Sequence, residues 1–196
     1  MEANKQEANP FALNLPNQIT ITRLVVSILV FVCIPMGYFI AALIFFLIAA
    51  GTDWADGYIA RKYQLVTKLG RILDPFADKI LICGAFIFLG AEPGSEITAW
   101  MAVVVVGREL LVTVLRSFME EQGVDFSAQM AGKLKMVFQC VAVVASLALL
   151  ATSADKRPDW LLYLTIISVW TAIVSTIYSG AGYIIIAARL LRQPKP

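Results

Sequence analysis

Charged residues divide the chain into long apolar stretches. Leu24 to Thr52 is 29 residues without a charge, interrupted by Pro35-Met36-Gly37. A single helix of that length overshoots a hydrocarbon core of about 30 Å, and two spans of about 20 residues do not fit within it. The run therefore predicts a helical hairpin turning near Pro35–Gly37. Its first helix begins near Pro16-Asn17 and its second continues to about Arg61. Pro16 is unstrained at a helix start, where its missing N–H would be unpaired anyway. Ile80 to Ala91 is only 12 uncharged residues, so a third helix has to start near Gly70, with Asp74, Asp78 and Lys79 on its first turns. Glu92-Pro93-Gly94-Ser95-Glu96 reads as a turn. A fourth helix follows from about Ile97 to Met119, then a polar loop from Glu120 to Gly132. Met136 to Ala154, 19 uncharged residues, predicts the fifth helix. Asp155 to Asp159 breaks it, and Trp160 to Ala188, 29 uncharged residues, predicts a long sixth. No internal repeat is visible. The expected fold is all-α: one polytopic membrane domain over residues 1–196 with six transmembrane helices, a polar segment 1–15 and a basic tail 190–196.

Composition narrows the class. Of 196 residues, 59% are hydrophobic and 15% charged, against roughly 45–50% and 25% in soluble domains; the mean hydropathy is +0.76. A net charge of +2 is too small for a nucleic-acid-binding surface. The absence of histidine excludes imidazole acid–base catalysis, His-ligated zinc and a Ser-His-Asp triad. Cys33, Cys83 and Cys140 each sit in an apolar run and form no CxxC pair, so they read as packing residues. The opening MEANKQEANP lacks the basic and apolar regions of a signal peptide. Lys and Arg collect on one side of the expected topology: Lys5 and Arg23; Arg61, Lys62, Lys68 and Arg71; Arg116, Lys133 and Lys135; Arg189, Arg192 and Lys195. The other side has only Lys156 and Arg157. The first side, with both termini, is expected to be cytoplasmic.

Four acids then require a reason, because a charge at membrane depth costs about 2.5–3.5 kcal/mol on insertion scales. Asp53 and Asp56 are spaced i,i+3, with Gly57 and Arg61 following on the same helical face. Asp74 and Asp78 are spaced i,i+4 on the next helix, one turn after Gly70. Counted from the Lys62–Leu69 loop, Asp53 and Asp78 lie about 12 Å deep, and Asp56 and Asp74 about 6–8 Å. Any one of them alone would read as a solvated rim residue. Four on facing helices at matched depth would repel or take up protons unless neutralised. Arg61 offsets one charge; hard divalent cations with all-oxygen ligation would offset the rest.

The run Asp53-Trp-Ala-Asp56-Gly57-Tyr-Ile-Ala60-Arg61, eight residues, Gly70, three residues, Asp74, three residues, Asp78 resembles the CDP-alcohol phosphotransferase signature at every fixed position. The resemblance extends to Leu15-Pro16-Asn17-Gln18-Ile19-Thr20-Ile21-Thr22-Arg23 and to the later helices. It implies six transmembrane helices around a cytoplasm-facing polar cavity in a bacterial cytoplasmic membrane, a homodimer, and two divalent cations, Mg²⁺ or Mn²⁺. It also implies transfer of a phosphatidyl group from CDP-diacylglycerol to an alcohol, with release of CMP. By the same resemblance Asp53, Asp56, Asp74 and Asp78 are the metal ligands and Asp78 is also the base toward the acceptor hydroxyl. Asn17, Gly57, Arg61, Thr67 and Gly70 then serve the CDP-diacylglycerol site, the glycines by close backbone approach or close helix packing.

Gly107-Arg108-Glu109-Leu110, Leu115-Arg116 and Gly132-Lys133-Leu134-Lys135 are similar to the branch of that family that makes phosphatidylglycerophosphate, which implies glycerol 3-phosphate as acceptor. Arg108, Arg116, Lys133 and Lys135 are then the candidate ligands of the acceptor phosphate. Arg108 lies mid-helix, too deep to reach the surface, and is expected either to face the polar cavity or to pair with Glu109 or another carboxylate. Met136 departs from the Thr that many members of this branch carry. Inositol phosphate, serine and phosphatidylglycerol are the alternative acceptors. A cation or proton transporter is the alternative class, but transporters place such acids near the midplane between repeats, and here they cluster toward one face.

Overall fold

The computed structural model describes the backbone of residues 15–63, 68–121, 130–153 and 157–191, with side chains at 18, 20–52, 76–119, 134–153 and 157–188. Among the described residues the chain is all-helical: α1 (Leu15–Cys33), α2 (Phe39–Tyr63), α3 (Lys68–Ala91), α4 (Ala99–Glu121), α5 (Met130–Ala151) and α6 (Asp159–Leu191). The hairpin turns where Pro35 and Gly37 predict it, with Gly37 at φ 76°, a left-handed conformation that glycine adopts without strain. The α3–α4 turn is closed by Ser95, whose buried Oγ donates to the carbonyl of Leu89 and accepts from the Ile97 amide.

Two helices run past the bounds expected from uncharged stretches. α5 begins at Met130 instead of Met136, so Lys133 and Lys135 belong to its first turns, and α6 continues to Leu191 through Arg189. An uncharged run marks an apolar slab; a helix continues beyond it as long as its charged side chains find partners. Among the described residues α5 and α6 contain segments long and apolar enough to cross a membrane, Leu134–Ala151 and Asp159–Ala188, and α1 and α2 contain shorter apolar segments, Thr20–Cys33 and Phe39–Thr52.

The helices close a ring in the order α1–α2–α5–α6–α4–α3, and α3 and α5 touch across it. Two four-helix compartments result, α1–α2–α5–α3 and α3–α5–α6–α4, sharing the α3–α5 wall. In the second, α4 and α5 lie diagonally opposite and, among the described residues, do not pack against each other. The bundle is also divided along its length. At the end bearing the α1–α2 and α3–α4 turns it is filled mainly by apolar side chains, among them Val30, Ile34, Phe46, Phe86, Leu89 and Leu147, all fully buried, with the hydroxyls of Ser146 and Thr165 between them. There Gly84 lets α1 come close: the Phe31 ring occupies the space a Cβ would take, 2.2 Å from Cζ, and stacks on Phe88 at 5.4 Å. Toward the other end the interior is polar, with Arg23, Arg108, Glu109, Lys135, Gln139, Thr176 and Ser179 all buried. The exterior is apolar, with Val103, Val114, Ile167 and Tyr178 among the exposed side chains. Cys33, Cys83 and Cys140 are free thiols, and Cys33 and Cys140 pack against the core.

Candidate active site

The signature residues are carried by α2 and α3, two of the walls of the first compartment. Asp53 and Asp56 fall on the last turns of α2, and Asp74 and Asp78 on the first turns of α3. The side chains of Asp53, Asp56, Asp74, Asn17, Gly57, Arg61 and Gly70, and all of Thr67, lie outside the described residues. Among the described residues no cluster of three or more His, Cys, Asp or Glu is present. Asp78 is described, and its partner comes from α1: Arg23 Nη1 donates to Asp78 Oδ1 at 2.8 Å. Arg23 is buried while Asp78 is 26% exposed, so the pair fixes an acid at the edge of the interior from behind. A buried guanidinium is stable only with such a counter-charge. The charge count assigned Arg23 to a cytoplasmic rim; the structure puts it inside, one helix away from its carboxylate. Ser27 Oγ donates to the Arg23 carbonyl, one turn back on the same helix.

The second compartment gathers three of the four candidate phosphate ligands. Arg108 Nη1 donates to Glu109 Oε1 and Oε2 at 3.1 and 3.2 Å, and Nη2 donates to Ser179 Oγ at 2.7 Å. Its Cζ lies 5.5 Å from the Tyr183 ring centroid, within cation–π range. Gly180 gives the side chain room, because a Cβ there would sit 3.1 Å from Arg108 Cγ. Arg116 Nη2 donates to the Tyr183 hydroxyl at 3.3 Å, so both arginines share one α6 residue. Lys135, from α5, is ion-paired with Glu109 Oε1. The Lys133 side chain lies outside the described residues. Both readings of Arg108 therefore hold at once: it faces the polar interior and it pairs with Glu109. The group contains three cations and one carboxylate, an excess of two positive charges. The Nε–H groups of Arg108 and Arg116 are buried without an acceptor, which is costly unless an anion arrives.

Two further links frame this compartment. Lys79, next to Asp78, donates to Thr113 Oγ1 of α4 at 2.6 Å, and Gln139 of α5 donates to Thr176 of α6 at 2.9 Å. A cavity of about 620 Å³ lies at the opposite end of the bundle, lined by Gly37, Tyr38, Phe39 and Leu150 among others, away from these groups. Sequence reasoning missed Ser179 and Tyr183, which sit in an apolar run, and the partnerships of Glu109 and Arg23, which join residues 26 and 55 positions apart.

Comparison with known proteins adds an independent line. The family model for CDP-alcohol phosphatidyltransferase matches residues 13–178. A protein of Bacillus subtilis named CDP-diacylglycerol--glycerol-3-phosphate 3-phosphatidyltransferase is 36% identical over 188 residues, covering 87% of this chain and 93% of the relative. Proteins of the same name from Rickettsia bellii and Shigella flexneri are each 34% identical, covering 87% and 92% of this chain and 93% and 98% of their own lengths.

Proposed function

The chain belongs to the CDP-alcohol phosphatidyltransferase family, and from that premise we propose that it transfers the phosphatidyl group of CDP-diacylglycerol to glycerol 3-phosphate, giving phosphatidylglycerophosphate and CMP. The observation that carries the acceptor is the charge of the second compartment. A phosphate monoester bears about −1.5 to −2 near neutral pH, and the described cations Arg108, Arg116 and Lys135 outnumber the one carboxylate, Glu109, so the compartment has net positive charge to receive it. Serine, or any acceptor without a phosphate, supplies no dianion for these cations; inositol phosphate does, and between the two phosphorylated acceptors glycerol 3-phosphate is taken from the names of the relatives.

In this reading the donor's CDP part occupies the first compartment with Asn17, Gly57, Arg61, Thr67 and Gly70, and the acceptor phosphate the second, with Lys133 joining the three described cations. Asp78 stands on α3, one of the two helices common to both. The acceptor hydroxyl oxygen attacks the β-phosphorus, its proton passes to Asp78, and the bond to the CMP oxygen breaks. Arg23 orients Asp78 for that transfer, and positioning alone contributes much of the acceleration. Asp53, Asp56, Asp74 and Asp78 form an all-carboxylate donor set of the kind Mg²⁺ or Mn²⁺ takes. Two such ions held there would neutralise the diphosphate and the departing CMP.

The six helices span a bilayer with the polar half toward the cytoplasm. Even the shortest, α1 with 19 residues, extends roughly 28 Å. Tyr38, Trp100, Trp160 and Tyr163 are exposed at the opposite end, the level of an interfacial aromatic belt. The test is turnover of purified protein with CDP-diacylglycerol and a panel of acceptors, followed by CMP release. Glycerol 3-phosphate is expected to exceed inositol phosphate and serine by orders of magnitude. A better rate with either overturns the acceptor assignment and leaves the phosphatidyl transfer in place.

A further inference from the structure

Glu109 is a buried carboxylate for which the transfer chemistry has no use. It takes neither the proton nor the donor, and its own charge opposes binding of an anionic acceptor. Its surroundings explain its presence. α4 and α5 lie diagonally across the second compartment without packing against each other, and the Glu109 carboxylate spans that gap, holding Lys135 of α5 on Oε1 and Arg108 of its own helix on both oxygens. Neighbouring residues on a helix do not normally face each other. The pair forms because Arg108 is drawn toward α6 by Ser179 and Tyr183 and reaches back across the compartment to Glu109. Without the carboxylate, two buried cations would face one another with no counter-charge, and the flexible lysine would turn away.

We propose that Glu109 is a positioning residue for the acceptor phosphate: it holds Lys135 and Arg108 at the separation one phosphate can bridge, and leaves the group a net positive charge. With Nη1 occupied by Glu109 and Nη2 by Ser179, the guanidinium plane of Arg108 is set before substrate arrives. Its buried Nε–H has no acceptor of its own, so it remains available to the incoming anion. Preorganisation of this kind lowers the ordering cost of binding. The inference rests on glycerol 3-phosphate being the acceptor, and it deepens that reading by assigning a specificity role to an acid.

The test compares the purified wild type with Glu109→Gln and Glu109→Asp, each titrated with glycerol 3-phosphate and with CDP-diacylglycerol. Loss of a charge-assisted contact is expected to raise the KM for glycerol 3-phosphate at least about tenfold in Glu109→Gln, with kcat at saturating acceptor and the KM for CDP-diacylglycerol within about threefold. Glu109→Asp keeps the charge and is expected to fall between the two; it carries the test alone if Glu109→Gln does not fold. Stabilisation against heating by glycerol 3-phosphate, measured without CDP-diacylglycerol, is expected to shrink in the same order. A lower KM for glycerol 3-phosphate in Glu109→Gln overturns the proposal, since Glu109 would then compete with the substrate for the cations. An equal rise in both KM values overturns it too, as a general packing defect. If the wild type prefers an acceptor without a phosphate, the functional reading itself has failed; if it uses glycerol 3-phosphate and the variants do not differ, only the role of Glu109 has.

Discussion

Arg108 and Arg116 are two turns apart on α4 and converge on Tyr183, which makes them the residues to separate acceptor from donor binding. Arg108→Ala and Arg116→Ala are expected to raise the KM for glycerol 3-phosphate roughly 10- to 150-fold, the factor for about 1.5–3 kcal/mol of a charge-assisted contact. The KM for CDP-diacylglycerol should move much less, as steady-state titration of each substrate will show. An equal effect on both substrates would make the arginines structural. Asp53→Asn, Asp56→Asn, Asp74→Asn and Asp78→Asn are each expected to abolish turnover. Chelator should do the same to the wild type, with recovery on adding Mg²⁺ or Mn²⁺. More than a few per cent activity in Asp78→Asn would contradict the role of base proposed for it. At this scale the spacing of the signature aspartates, i,i+3 and i,i+4, is local and readable along the chain, and their substitution tests the site it suggests. Arg23–Asp78 and Glu109–Lys135 were not, because which helix lies beside which is decided by packing far from either residue.

At the scale of the helices, the pattern of uncharged runs located six elements and the Pro35–Gly37 turn, and failed only at ends where a charged turn extends an apolar one, as in α5. It is silent on how closely two helices approach, and Gly84 is the case in point. Alanine there is expected to lower thermal stability by about 1–3 kcal/mol, an overpacking cost, since the Phe31 ring is held by Phe88 and cannot simply retreat. Phe31→Leu in the same chain should recover part of the loss in a melting experiment. Membrane orientation is tested by single cysteines in a cysteine-free background. Lys68→Cys and Pro93→Cys should react with an impermeant thiol reagent from opposite sides. Pro93 is preferred to its neighbour Ser95 because Pro93 is exposed while Ser95 is buried and holds the turn together. Labelling of both from one side would sink the six-span arrangement.

For the whole molecule, the ring order α1–α2–α5–α6–α4–α3 could not be read from a sequence without repeats, because alternative closures bury similar apolar stripes. What the ring achieves is a pair of polar compartments on a common wall at one end, above an interior plugged by Val30, Ile34, Phe46, Phe86, Leu89 and Leu147. That plug has a consequence for the lipid product. A headgroup carrying two phosphates cannot follow a dry path through the bundle, since an uncompensated charge in such a medium is prohibitively costly. With the six helices spanning the bilayer as proposed, donor and product are expected to enter and leave sideways within a single leaflet, so that lipid is synthesised without being moved across. Vesicles with the protein oriented one way should form product only when the soluble acceptor is supplied on the side of the polar end, and only in that leaflet; populating the opposite leaflet becomes the task of a separate flippase.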